Sequence, residues 1–148
     1  QKAEQIWEDY KTKPEVNYGG NRACYTPSKD NITMPKKEAF NSEEEYYASL
    51  FHEGLHSTGH KSRLNRNIEN TYGTSDYGKE ELIAEMGSSF LCAICKIDSK
   101  IIDNSAAYIA GWLKAINENH KLLMSAAAKA QVASDYILGV NQKEEKEQ

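Results

Sequence analysis

The segment His52-Glu53-Gly54-Leu55-His56 constrains this chain more than any other stretch of it. In an α-helix, positions i and i+4 lie about 40° apart around the axis and one turn apart along it. His52 and His56 therefore point the same way and can share one ion. The flanking residues supply the helix. Tyr47, Leu50, Phe51, Leu55 and Thr58 recur at helical spacing. Asn41 or Ser42 is a good N-cap, and Glu43, Glu44 and Glu45 suit the positive end of the helix dipole. Gly59 is the expected C-terminal stop. Gly54 is a poor helix former, and its place here suggests that something packs closely against it.

Imidazole nitrogen suits zinc, so His52 and His56 are the first two candidate metal ligands. Glu53 follows the first of them and is the candidate general base, able to take a proton from water and return it to a leaving group. HExxH is short and also occurs by chance on helix surfaces, so the remaining ligand matters. A catalytic zinc takes three protein ligands and keeps a position open. The pattern HExxHxxGxxH fails, because Ser62 stands where its last histidine would be. His60 lies four residues beyond His56, but Gly59 is expected to break the helix between them.

The better source is a second helix over 80–95, opening Glu80-Glu81-Leu82-Ile83-Ala84-Glu85. This is similar to gluzincins, in which a downstream helix gives a glutamate ligand and an acidic residue four positions later supports a ligand histidine. The resemblance implies Glu81 on the metal and Glu85 behind a histidine. The reverse assignment stays open. Glu80 is expected about 100° round the helix, towards solvent. His60, Tyr72 and Tyr77 are candidates to contact substrate or a developing oxyanion. Cys92 and Cys95 form a CxxC with no second pair to complete a structural zinc site, so they read as small core residues.

Elsewhere a short helix is expected over 3–10, stopped by Pro14. Tyr18-Gly19-Gly20-Asn21 signals a turn, and Arg22–Thr26 and Asn31–Met34 read as strands of a hairpin turning at Pro27-Ser28-Lys29-Asp30. Lys61 to Gly78 reads as a long loop, of a length that is usually functional or mobile. Asp98 to Asn104 reads as a connector, Asn104 or Ser105 as the cap of a helix through Asn117, and a last alanine-rich helix as running from about His120 to Leu138. With 148 residues, one domain is expected, with its core over about 17–138 and a charged tail over 139–148. The 18 basic and 22 acidic residues leave a net charge of −4, which argues against non-specific nucleic-acid binding. Three cysteines make no disulfide framework, so a reducing cytoplasm is the expected compartment. No apolar run approaches the roughly 20 residues of a membrane helix. The chain opens at Gln1 in helical style, which suggests a fragment of a longer protein.

Taken in order, GGNRACYTPSKDNITMP, YYASLFHEGLHSTGH, SRLNR, YGKEELIAEMGSSFLC and AAYIAGWLKAI resemble the C-terminal metallopeptidase-like domain of ArdC-type antirestriction proteins, from about Asn17 to Leu138. The resemblance implies a zincin-like α+β fold, with a small antiparallel sheet or hairpin beside the HExxH helix and other helices packed round it. It implies a role in protecting incoming DNA on a mobile element, and a missing N-terminal domain that binds single-stranded DNA. Two functions are then in view. One is a zinc metallopeptidase acting on a protein or peptide, held as an added strand at the hairpin edge. The other is a metal-containing module that binds a restriction enzyme or DNA without hydrolysis.

Overall fold

The computed structural model describes residues 2–68, 75–97, 99–115 and 119–140. Among these residues are five α-helices, α1 (Lys2–Asp9), α2 (Glu43–Ser57), α3 (Ser75–Ile94), α4 (Ser99–Ala115) and α5 (His120–Leu138), and three strands, β1 (Glu15–Tyr18), β2 (Cys24–Thr26) and β3 (Asn31–Met34). The class is α+β, as expected, but the sheet is mixed. β2 and β3 form the antiparallel hairpin, pairing Cys24 with Thr33 and Thr26 with Asn31. β1 pairs with β3 in parallel, Glu15 beside Asn31 through Tyr18 beside Met34, so β3 is central and β2 is an edge. β1 is short and largely exposed, which leaves little apolar alternation to mark it. The Gly19-Gly20 turn follows it, with Gly20 at φ 70°, a left-handed conformation that favours glycine.

The α2 helix begins where its sequence indicates. The Ser42 hydroxyl accepts the Glu45 N–H at 3.1 Å, an N-cap. Its apolar stripe, Leu50, Phe51 and Leu55, is buried against β3, where Ile32 and Met34 are buried too. The core also reaches further toward the N-terminus than Asn17, because Ala3, Ile6, Trp7 and Tyr10 of the first segment are all buried in it. A Cβ at Gly54 would stand 2.8 Å from the Trp7 ring, so glycine lets α1 lie against the middle of α2. Gly59 serves packing as well: it has no left-handed φ, and an added Cβ would meet Ile68 and the Arg66 guanidinium.

The α3 helix starts within the expected loop, and α4 starts before the expected cap, so Asn104 and Ser105 are helix-interior residues. A polar pair that suits an N-cap is carried here inside a helix packed on α3, where tertiary contact overrides local preference. Ala126, Ala130 and Ala133 of α5 are fully buried, and with Gly87 of α3 they let helices α3 and α5 approach closely. Cys92 is buried and Cys95 half-buried; both are free thiols, and burial pushes the Cys92 thiol up to about 12. The charged tail lies outside the described residues. No helix among the described residues is long and apolar enough to cross a membrane.

Candidate metal centre

The α2 helix presents His52 and His56 on one face, with ring centroids 4.9 Å apart. The α3 helix lies opposite and brings three glutamates to them. Glu81 sits between the histidines, one oxygen 3.4 Å from His52 Nε2 and the other 3.2 Å from His56 Nε2. Glu85 reaches His52 Nδ1 at 3.0 Å, and Glu80 reaches His56 Nδ1 at 2.9 Å. The ligand-capable atoms of His52, His56 and Glu81 all lie within 4.8 Å of one another. Ligands about 2.1 Å from a tetrahedral ion stand about 3.4 Å apart, so these separations suit one ion. His60 is outside this group.

The surrounding groups fit such an ion too. Each histidine turns Nε2 towards Glu81 and Nδ1 towards a carboxylate, the arrangement that fixes a ligand histidine's tautomer. The Glu53 side chain is buried beside them, and its Oε2 has no hydrogen-bond partner among the described residues. A buried carboxylate oxygen left unpaired is costly, and a water on the metal would satisfy it.

Electrostatics follow from the same contacts. Burial opposes charge on His52, but hydrogen bonds to Glu81 and Glu85 outweigh it and raise the imidazole to about 9. His56 is also raised well above its ordinary value, with burial opposed by Glu80 and Glu81. Burial acts to raise Glu80 and Glu81, yet their histidine partners, and Arg66 for Glu80, hold both below the usual carboxylate range.

Glu80 corrects the expectation from sequence. It is 7% exposed and does not face solvent. The rotation of about 100° from Glu81 is right, but that direction leads to His56 and to Arg66. The Arg66 guanidinium donates to both Glu80 oxygens, at 2.9 and 3.1 Å, and also to Thr58 Oγ1 and the Leu55 carbonyl, each at 2.9 Å. Arg66 was not singled out from sequence; its only signal was the SRLNR segment.

Of the three candidates for contacting substrate, Tyr77 lines both clefts that meet at Glu53 and Glu81. His60 lines a separate cavity with Pro27, Lys61 and Asn67, and its Nδ1 accepts the Ser62 N–H at 3.1 Å. Tyr72 lies outside the described residues. One cleft opens towards the β2 edge at Arg22, Ala23 and Cys24. The other opens towards α4 at Ile101, Tyr108 and Trp112.

The chain has relatives among proteins of known structure. The crystal structure of the antirestriction ArdC protein from the R388 plasmid in Mn(II)-bound form superposes with a TM-score of 0.74 at 37% identity, covering 91% of this chain and 50% of that one. Its metal-free form gives 0.72 at 38% identity, covering 91% and 48%. Among curated proteins, y4eC of Sinorhizobium fredii is 35% identical over 123 residues, 83% of this chain and 40% of that protein. The DNA primase TraC of Escherichia coli is 40% identical over 128 residues, 86% of this chain and 9% of that protein. The chain therefore spans less than half the length of these curated relatives and about half of ArdC. The family model described as zincin-like metallopeptidase (MPTase-PolyVal) matches residues 1–129, and the chain belongs to that family.

Proposed function

We propose that this chain is a zinc-dependent peptidase domain that hydrolyses a protein or peptide in the cytoplasm, in the service of antirestriction on a mobile element. The observation that carries the reading is the Glu53 carboxylate oxygen without a partner among the described residues, buried beside the His52, His56 and Glu81 cluster. His52, His56 and Glu81 would hold the ion. When bound, it supplies Lewis-acid polarisation of a carbonyl and lowers the pKa of water. Glu53 takes the proton from the attacking water at Oε2 and delivers it to the leaving amine. Glu85 and Glu80 hold the tautomers of His52 and His56 at Nδ1, so both Nε2 atoms would turn to the ion together with Glu81. Tyr77, at the junction of the clefts, is placed to meet the scissile carbonyl. An extended substrate adds to the sheet along β2, the edge strand that lines one cleft.

Zinc is favoured by two imidazoles and one carboxylate, while the Mn(II) named for the ArdC structure makes manganese the competitor. Metal content of the purified chain, beside His56→Ala and Glu81→Ala, tests the site. About one ion per chain, lost in both variants, supports it; retention in Glu81→Ala removes Glu81 from the ligand set.

A second reading has support in the lengths of the relatives. The same domain makes up 9% of a DNA primase and half of an antirestriction protein, as a portable binding module would. It would contact a restriction enzyme or DNA beside another domain and hydrolyse nothing. Glu53→Gln separates the two. Loss of antirestriction with the metal retained supports hydrolysis, and full antirestriction in that variant supports binding alone.

A further inference from the structure

The two clefts that meet at Glu53 differ in chemistry. The β2 side carries Arg22, Tyr25 and Pro27. The α4 side carries Ile101, Tyr108 and Trp112, in a cleft of about 390 Å³ that also contains His52, Glu53 and Glu81. That volume is within the roughly 300–1,000 Å³ typical of ligand sites. Tyr108 is 63% exposed, a large ring left in water at the mouth of a catalytic cleft. The apolar surface continues past it over Ala107 and Gly111. Trp112 is braced by the Tyr77 ring, with centroids 5.5 Å apart, so this wall is built and not merely loose.

Resting on the peptidase reading, we propose that Ile101, Tyr108 and Trp112 form a specificity subsite that seats a large apolar or aromatic side chain next to the scissile bond. An extended peptide following β2 past Glu53 runs from the polar cleft into this one, because Ala23, Glu53, Tyr77 and Glu81 line both. The subsite has aromatic faces to cover such a side chain. Its carboxylates Glu53, Glu81 and Glu85 repel an acidic one. Two of them offer little to a cation, Glu85 being engaged by His52 Nδ1 and Glu81 lying against both histidine Nε2 atoms, and the third, Glu53, is the buried proposed base.

The test uses seven-residue Ala/Ser peptides with one position next to the scissile bond set to Phe, Leu, Ala, Asp or Lys. Cleavage is measured with the zinc-loaded full chain. Binding is measured separately, by fluorescence polarisation on zinc-loaded Glu53→Gln protein. The expected result is a preference for Phe and Leu over Ala, Asp and Lys of about tenfold or more. Tyr108→Ala, and separately Trp112→Leu, should bring the Phe-to-Ala ratio close to one. Circular dichroism verifies folding, and the exposure of Tyr108 makes its variant the safer of the two. Equal use of all peptides, a preference for Lys, or a ratio unmoved in both variants would overturn the subsite. Binding with the Phe preference but no cleavage would keep the subsite and remove the hydrolytic reading. No binding of any peptide would remove both.

Discussion

Arg66 and Glu80 form a two-point ion pair, at 2.9 and 3.1 Å, whose far side is the 2.9 Å contact of Glu80 with His56 Nδ1. Arg66 thus acts on the centre through two intermediaries without reaching it. Arg66→Met should weaken metal binding about 10–100-fold, the usual effect of losing an outer hydrogen-bond partner. Competition with a chromophoric chelator reads this directly. Arg66→Lys should recover only part of the affinity, because an ammonium cannot reproduce the fork. Equal affinity in wild type and Arg66→Met would show that Glu80 holds its place unaided.

The contact between α2 and α3 sets where Glu80, Glu81 and Glu85 stand. A Cβ at Gly87 would overlap the Leu55 side chain and lie 3.3 Å from Ser134 Oγ. Gly87→Ala gains up to about 1 kcal/mol in helix propensity. Overpacking of the α2–α3 contact should exceed that, at about 1–3 kcal/mol. We expect a net loss of stability in urea unfolding, together with weaker metal binding as Glu81 is pushed from the histidines. A stabilised variant with unchanged metal affinity would show that Leu55 repacks freely.

The pH response of the metal-free chain follows from His52. Its imidazole is raised to about 9 in the fold, against about 6.5 when unfolded. A raised pKa gives stability that is complete below about 6.5 and is lost as pH rises through about 9. The melting temperature of the metal-free chain should therefore fall across that window. Metal displaces the same protons, so its affinity should rise over the same range. Calorimetric titrations at pH 6.5, 7.5 and 8.5 check both trends; a melting temperature flat across them would mean the histidines are neutral in the fold.

The hairpin turn is anchored from a distance. Asp30 sits at φ 48° and accepts Arg63 Nη1 and Nη2 at 2.7 and 3.0 Å and the Tyr25 hydroxyl at 2.7 Å. Arg63 also donates to the carbonyls of Thr12 and Ser57. Asp30→Ala should cost about 2 kcal/mol near neutrality, because charged hydrogen bonds to a buried arginine are lost. Burial tends to raise the Asp30 carboxyl, but Arg63 and Tyr25 hold it below its ordinary value. Its contribution is thus present above about 4 and is lost as pH falls further. The gap between wild type and variant in urea unfolding should narrow in acid; a gap that widens there would contradict the pairing.

Much of the candidate cluster was legible in the residues themselves. His52, Glu53 and His56 are fixed relative to one another by helix geometry alone, and Glu81 with Glu85 by one turn of a second helix. What could not be read was set by how separate elements cross. Glu80 faces His56 because α3 runs alongside α2, and Arg66 enters from the segment after α2. β1 was missed because four mostly exposed residues carry little periodicity and its partner is not adjacent in sequence. The early start of α4 was missed because Asn104 and Ser105 suit a cap locally.

His56 and Glu81 stand on different helices, joined by a segment that includes Arg63 and Arg66. An ion held by both helices would be a removable cross-link. It would bind the folded chain and not the unfolded one, so its binding free energy would add to the stability of the α2–α3 pairing. Chelation should therefore open Arg63 and Arg66 to trypsin, making metal supply a control on how long the protein survives.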